Sequence, residues 1–255
     1  MNDTTQRAKR ALAALKAADQ TGMGRVAGGM GAMATDRLAE LDACTAAYRS
    51  WTPYLVPGVL QTGTYAACAI RARTPSLPGE SVSVRVVHRR RRVEAFLQRR
   101  LEIGLPGVAW FVVGETAIVR PLMNEGGHLE QLEYLLTLMN EYPIVIQVLP
   151  EVGLMPGANE PFDIHYLDSG PSLGHIETMI GSLYTTSAED VTRLHNTFNE
   201  MVGHALSTSE SRRFISEVAN SWSAHSAPTT EPGSSSPATA TPATASSSLD
   251  LNTET

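Results

Sequence analysis

Cysteine is scarce in this chain: only Cys44 and Cys68 occur among 255 residues. Two cysteines provide neither a disulfide framework nor the ligand spacing of a zinc site, so we expect buried thiols. Long apolar runs are missing too. None reaches the roughly 20 residues that span a bilayer, and the N-terminus has no apolar signal core. These absences predict a soluble, cytoplasmic protein that makes no contact with a membrane.

An excess of positive charge is also missing. The formal net charge is −6 at pH 7, which disfavours nucleic acid as a partner because that binding depends on neutralising phosphates. The GKS/T phosphate loop and the HExxH zinc motif do not occur in the sequence. We therefore expect neither a bound metal nor a cofactor.

Composition divides the chain into three parts. The sequence of residues 1–34 predicts a short helix and a glycine-rich linker. A helix–turn–helix is disfavoured there, because each interior glycine costs a helix about 1 kcal/mol. Residues 35–222 have the apolar periodicity of a folded domain, and 42% of the chain is hydrophobic, which suffices for a core. Residues 223–255 are nearly all Ser, Thr, Ala and Pro, which predicts a disordered tail.

Hydrophobic periodicity predicts the elements of the central part. We expect helices over residues 35–50, 62–73, 81–100, 125–140, 188–206 and 209–219. We expect strands over residues 108–113, 144–149, 162–167 and 174–178. The predicted fold is a mixed α/β fold of the α+β type, in which a small sheet packs against several helices.

The last two predicted strands carry the most acid–base groups. Alternation places Asp163 and His165 on one face of the first strand, and His175 and Glu177 on one face of the second. We expect a hairpin with His165 opposite His175 and Asp163 opposite Glu177. Such a cluster could transfer protons, because histidine titrates near neutral pH and a carboxylate fixes its tautomer. A solvated sheet face or a partner surface would show the same alternation.

Glu115 and Arg120 form a second candidate pair. Glu115 follows a predicted buried strand, where ligand-contacting groups often lie, and a salt bridge that fixes the following turn is an equal alternative. The candidate catalytic residues are therefore His165, His175, Glu177 and Glu115. The candidate ligand contacts are Arg120, Trp110, Asp163 and Tyr184, although Trp110 also fits a core position.

A basic run, HRRRR at residues 88–92, lies within the helix predicted at 81–100. Together with Arg85, Arg99 and Arg100, these side chains spread around most of the helix circumference. That distribution is typical of a solvated or protein-facing helix, and an acidic protein is a sensible partner for it. Direct DNA binding through this helix is the disfavoured alternative.

Five segments carry a family resemblance: YLVPGVLQTGTYA at 54–66, WFVVGETAIVRP at 110–121, LEQLEYLL at 129–136, IVIQVLP at 144–150, and PF, IE and GSLY between 161 and 184. In this order they resemble the uncharacterised C-terminal domain of actinobacterial XRE-type (WhiJ-like, antitoxin-like) helix–turn–helix regulators. The resemblance implies a regulator-type effector domain, with a small acidic protein as a possible partner. It also implies a preceding DNA-binding domain, which the residues before position 54 do not predict.

Two hypotheses about function follow. The first is a regulatory-type protein that binds a small molecule or a small partner protein, related to the sensor half of these regulators but without their DNA-binding half. The second is an enzyme of specialised metabolism, a cofactor-independent cyclase or isomerase that reuses the sensor pocket. Such reactions need only a shaped pocket and one or two acid–base groups.

Overall fold

The computed structural model describes residues 25–27, 32–105, 107–151, 159–178 and 181–226, together with Gln6 and Ala13. The predicted N-terminal helix, most of the predicted glycine-rich linker and the predicted tail beyond residue 226 lie outside these described residues. Cys44 is buried and Cys68 is half-buried, and no disulfide joins them. Within the described ranges, no helix combines the length and the apolar character needed to cross a membrane.

One mixed sheet organises the described part of the chain. Its strands are β1 (Arg25–Ala27), β2 (Thr45–Thr52), β3 (Ala109–Gly114), β4 (Ile144–Leu149), β5 (Phe162–Leu167), β6 (Leu173–Thr178) and β7 (Gly181–Thr185). Their order across the sheet is β1-β7-β6-β5-β2-β3-β4. The β2–β3 and β3–β4 pairs are parallel, and the other pairs are antiparallel. The predicted α+β fold is confirmed.

Helices cover both faces of this sheet. They are α1 (Ala32–Ala43), α2 (Gly63–Arg73), α3 (Gly79–Ile103), the short α4 (Glu115–Val119), α5 (Glu125–Glu141), α6 (Ala188–His204) and α7 (Thr208–Ser226). On one face, Tyr48 and Phe111 of the sheet pack with Phe96 of α3 and with α5 and α7. On the other face, Phe162 and Ile164 pack against α6. Polar side chains near the centre of the sheet, such as Ser50 and His165, are therefore covered by packed helices.

Most helix ends follow the signals in the sequence. Thr62 caps α2 by accepting a hydrogen bond from the backbone N–H of Tyr65, and Ser187 caps α6 in the same way. The 25-residue α3 ends at Gly104, which adopts the left-handed conformation with φ of 68° that glycine enters without a steric penalty. Helix α7 continues through residues 223–226, so the boundary predicted for the tail at residue 223 is wrong by four residues.

The prediction of one helix over residues 35–50 is wrong in its second half. Helix α1 ends at Ala43, and the next residues form β2, which lies between β5 and β3 inside the sheet. Ala46 and Ala47 favour a helix locally. The buried Tyr48, Ser50 and Trp51 instead fit a strand that is covered on both faces, so packing overrides local propensity.

The predicted register of the β5–β6 hairpin is also wrong. Asp163 is opposite His175, and His165 is opposite Leu173, a slip of two positions from the expected pairing. The β5–β6 ladder ends at His165 and Leu173, and the last residues of β5, Tyr166 and Leu167, pair with β2 and not with β6. A shift of the pairing register by two residues keeps every side chain on the same face of the sheet. The predicted grouping of Asp163, His165, His175 and Glu177 on one side of the sheet therefore remains.

Candidate functional site

A cavity of about 240 Å³ lies between the sheet and helices α2 and α3. The loop at residues 53–57 and the following 3-10 turn Gly58–Leu60 close one side of it. Apolar side chains, among them Leu38, Val56, Val59 and Ile70, line part of its wall. Binding sites for small molecules commonly combine such apolar walls with a few polar groups that fix the orientation of the ligand.

The floor of the cavity is a row of four side chains, one from each of four neighbouring strands. Ser50 of β2 is opposite Asp163 of β5, which is opposite His175 of β6, which is opposite Tyr184 of β7. Side chains at directly paired positions stand on the same face of a sheet, and all four line the cavity. The floor therefore places a hydroxyl, a carboxylate, an imidazole and a phenol side by side.

His175 is held at both its edge and its ring face. Its Nδ1 lies 3.0 Å from Oδ2 of Asp163, and its ring stacks on that of Tyr184 with centroids 4.7 Å apart and planes inclined by 17°. The side chain is only 7% exposed. Because an ionised carboxylate only accepts hydrogen bonds, Nδ1 carries a proton, and in the neutral ring Nε2 has the free lone pair.

Asp163 is kept ionised by its neighbours. Burial alone would raise the pKa of Asp163, but the hydrogen bond and charge of His175 outweigh burial, with help from His165 and a hydrogen bond from the Tyr48 hydroxyl. The resulting pKa lies well below the ordinary value for aspartate. The carboxylate can therefore fix the orientation and tautomer of His175 across the usual range of pH.

The roof of the cavity is cationic. Arg85, Arg89 and Arg92 of α3 line it together with Arg73 from the end of α2. Arg85, Arg89 and Arg92 are separated by four and then three residues along α3. This spacing places their side chains on one stripe of the helix. These three arginines line the cavity and are partly buried, whereas Arg90 and Arg91 are exposed as expected. The acidic protein partner of this helix stays a prediction.

Two of the roof arginines are paired with carboxylates. Nε of Arg92 lies 2.6 Å from Oδ2 of the fully buried Asp42, and Nη1 of Arg73 lies 2.9 Å from Oε1 of Glu177. Burial alone would lower the pKa of Arg92, but the charge of Asp42 raises it above the ordinary value. These pairs neutralise part of the cationic roof and leave the other two arginines in excess.

Arg89 is hydrogen-bonded to a neutral side chain, and the charge of Glu177 acts on it only from beyond ion-pair distance. Its Nη1 donates to the neutral side-chain oxygen of Gln61 at 2.7 Å, and within the described ranges no carboxylate lies within ion-pair distance of it. Desolvation by burial lowers the pKa of Arg89 to about 10, so the guanidinium still carries its charge at neutral pH. Gln61 belongs to the 54–66 segment, and its amide also donates to the backbone oxygen of Val56 at 2.7 Å.

Several buried polar atoms of the cavity walls have no hydrogen-bond partner among the described residues. They are Oγ of Ser50, Oγ1 of Thr52 and Nε2 of His175. Buried polar groups in folded proteins are nearly always hydrogen-bonded, and leaving one unsatisfied costs about 1–3 kcal/mol. Other such atoms belong to Arg100, His128 and His165, which do not line the cavity. The three named here share one cavity, where a ligand would complete their hydrogen bonds.

His165 lies behind the cavity wall and does not line it. Thr45 donates its hydroxyl proton to the backbone oxygen of Leu41 at 2.8 Å, so it accepts the bond from Nδ1 of His165 at 3.1 Å. Desolvation by burial is the main cause that lowers the pKa of His165 to about 3. The ring is therefore neutral, and it packs edge-on against Tyr48 with centroids 4.9 Å apart.

The structure places the other predicted site residues apart from the cavity. Glu115 accepts a hydrogen bond from the backbone N–H of Glu151 at 2.9 Å, and within the described ranges no ion pair joins it to the exposed Arg120. Trp110 donates to the side chain of Gln147 at 2.7 Å and packs against Phe198 on the α6 side. Of the eight predicted residues, the cavity brings together Asp163, His175, Glu177 and Tyr184.

Sequence reasoning did not select the roof arginines, Tyr48 or Ser50. The spacing of Arg85, Arg89 and Arg92 was a usable signal for the arginines, because three cations on one helical stripe face one common surface. Tyr48 and Ser50 give no such signal, since their sequence predicts a helix. Both become recognisable only when β2 is placed beside β5.

The residues GPSLG at 170–174 fit the letters of the nucleophile pattern GxSxG. A nucleophile elbow joins a strand to a helix, so that its serine stands at a sharp turn above the sheet. Ser172 instead lies in the connection from β5 to β6, directly before a strand. The sequence therefore matches the pattern, but Ser172 lacks the strand–turn–helix geometry that activates such a serine.

Comparison with known proteins gives a family and no activity. No curated protein is significantly similar to this chain. A family model described as a domain of unknown function (DUF5753) matches residues 35–217, which include the strands β2 to β7 and the complete cavity floor and roof. The chain therefore belongs to the DUF5753 family.

Proposed function

We propose that this protein binds a small organic anion in the cavity between the sheet and α3. The observation that carries the proposal is Arg89, a half-buried guanidinium in the cavity wall whose described hydrogen-bond partner is the neutral Gln61. A buried charge is strongly unfavourable unless it is paired. A carboxylate or phosphate group on a ligand would supply the missing counter-charge.

The inward direction of the arginine stripe favours a small ligand over the other partners considered for this helix. An acidic protein or DNA would need these cations on an open surface, whereas Arg89 and Arg92 line a recessed, partly open cavity. In this proposal the domain is the ligand-binding part of a regulatory-type protein, as the resemblance to XRE-type regulators suggests. Occupation of the cavity would be the signal that it reports.

Binding measurements on matched arginine variants test this proposal. Benzoate, phenylpyruvate and phenyl phosphate serve as anionic probes in calorimetry and thermal-shift assays, with benzamide as the uncharged comparison. Arg89→Gln should weaken binding of the anions by roughly 10- to 100-fold, because a hydrogen bond to a charged group contributes about 1.5–3 kcal/mol. Benzamide should bind weakly to both proteins.

Arg91→Gln is the matched control, since Arg91 lies on the same helix but is exposed to solvent. This variant should bind the probes as tightly as the unmodified protein. Equal affinity of the Arg89→Gln and Arg91→Gln proteins, or the absence of binding by all three anions, would contradict the proposal.

A further inference from the structure

We infer that the cavity also transfers protons, with His175 acting as the base that enolises a bound 2-oxo acid. This inference rests on the proposed function, because a 2-oxo acid is a small organic anion whose carboxylate would meet Arg89. It goes further by assigning a reaction class and a reacting atom. The chemistry requires no redox partner, since enolisation only moves a proton.

The base is defined by the hydrogen bonds of the cavity floor. Nδ1 of His175 lies 3.0 Å from Oδ2 of Asp163, and this carboxylate fixes the ring proton on Nδ1. Nε2 is left as the atom that accepts a proton, and it has no partner among the described residues. An imidazole oriented by a buried carboxylate is the arrangement that general bases commonly use.

The remaining polar groups of the cavity match the other atoms of a 2-oxo acid. The hydroxyls of Ser50 and Thr52 are buried and have no partner in the described part of the chain. Either can donate to the oxygen on which negative charge develops as a proton leaves carbon. Tyr184 and the apolar side chains Val56 and Ile70 line the same space, which favours an aromatic or branched substituent at the third carbon.

The proposed step balances without a further reactant. The bond between the third carbon and its hydrogen breaks, and the proton passes to Nε2 of His175. The electron pair forms the double bond between the second and third carbons, while the former keto oxygen takes the negative charge. Return of the proton to carbon regenerates the keto acid, and its return to oxygen gives the enol.

Phenylpyruvate tests this step because it has a carboxylate, an aromatic ring and an exchangeable third-carbon proton. In deuterium oxide, proton NMR should show that the full-length protein exchanges this proton faster than buffer alone. His175→Gln should reduce the protein-dependent exchange rate by about 100-fold or more, the contribution typical of a positioned base. Its affinity for phenylpyruvate should stay within about three-fold of the unmodified protein. His204→Gln, at an exposed position of α6, should change neither quantity.

The possible outcomes separate this inference from the proposed function. Binding that depends on Arg89, together with exchange at the buffer rate, would overturn proton transfer and leave anion binding in place. Exchange that survives in His175→Gln would also overturn the inference. Failure of phenylpyruvate to bind while benzoate or phenyl phosphate binds would overturn the assigned substrate class.

Asp163 is a positioning residue in this scheme, and its role has a separate readout. Asp163→Asn places an amide beside Nδ1, whose N–H group favours the opposite tautomer of the ring. Nitrogen NMR of histidine-labelled protein should show the His175 proton on Nδ1 in the unmodified protein and on Nε2 in this variant. Slower exchange with an unchanged tautomer would reduce Asp163 to a structural role and contradict the proposed positioning.

Discussion

Arg89 is oriented by Gln61, whose side-chain oxygen accepts a hydrogen bond from Nη1 at 2.7 Å. The same glutamine donates through its amide to the backbone oxygen of Val56. One side chain thus connects a cation of the cavity roof to the loop that closes the cavity. This contact gives the 54–66 segment a direct part in the site, beyond its role in starting α2.

Replacement of Gln61 should therefore affect both stability and binding. We expect Gln61→Leu to lower the free energy of unfolding by about 1–3 kcal/mol, because it leaves the Val56 carbonyl and the Arg89 guanidinium without their described partner. Affinity for anionic probes should also fall as Arg89 loses its orientation. Urea denaturation and calorimetry measure the two effects.

Gln98→Leu provides the comparison, since Gln98 is exposed on α3 and surface substitutions usually change stability by less than about 0.5 kcal/mol. If both variants unfold at the same urea concentration, the Gln61 contacts contribute nothing measurable, and the connection between loop and roof is not a stabilising one.

The buried His165 should make the fold sensitive to moderate acid. Its pKa is about 3 in the folded protein and 6.5 in the reference state, so below pH 6.5 the unfolded chain binds a proton that the folded chain does not. Stability is therefore lost as pH falls from 6.5 towards 3, by up to about 1.4 kcal/mol per pH unit.

His165→Asn isolates this contribution. The asparagine amide can still donate to Thr45, but it does not titrate. Urea denaturation at pH 7.5, 6 and 5 should show that the variant loses less stability with acid than the unmodified protein. This comparison holds even if the two proteins differ in free energy of unfolding at pH 7.5. Parallel pH dependences would mean that His165 is not held neutral in the fold.

Gly114 marks a close approach between β3 and the loop of the cavity. A Cβ atom at this position would lie 2.2 Å from the backbone oxygen of Pro53, a distance that forces the loop to move. We expect Gly114→Ala to lower the free energy of unfolding by at least about 1–3 kcal/mol and to weaken anion binding, since residues 53–57 line the cavity.

Gly203→Ala is the control for this change. Gly203 lies within α6 and has nothing within 4 Å of an added Cβ, so alanine should stabilise the helix by about 0.5–1 kcal/mol. Opposite signs for the two glycine substitutions in thermal unfolding are the expected result. A neutral effect of Gly114→Ala would contradict the close approach to Pro53.

The sequence predicts elements well where local signals and packing agree. The long α3 and the buried strands β3 and β4 combine clear periodicity with glycine or proline at their ends. Residues 45–52 fail because alanine favours a helix locally, whereas the position between β5 and β3 requires a strand. Propensity describes neighbours along the chain, and β2 is determined by neighbours across the sheet.

The same distinction explains the site. Alternation places Asp163, His175 and Glu177 on one face, and the structure brings them to one cavity. It does not distinguish His165, which lies on the same face two residues further along β5 but is fully buried and does not line the cavity. How deeply a side chain of the sheet is buried depends on the helices packed above it. The alternation of side chains along a strand contains no information about those helices.

The row from Ser50 to Tyr184 has a consequence for how this domain can change. Each of its four side chains comes from a different strand, while the strands are held together by main-chain hydrogen bonds that do not depend on side-chain identity. Ligand choice is therefore encoded at a few positions that can be exchanged independently of the architecture. A new selectivity could arise through one or two codon changes, without a new fold or an insertion.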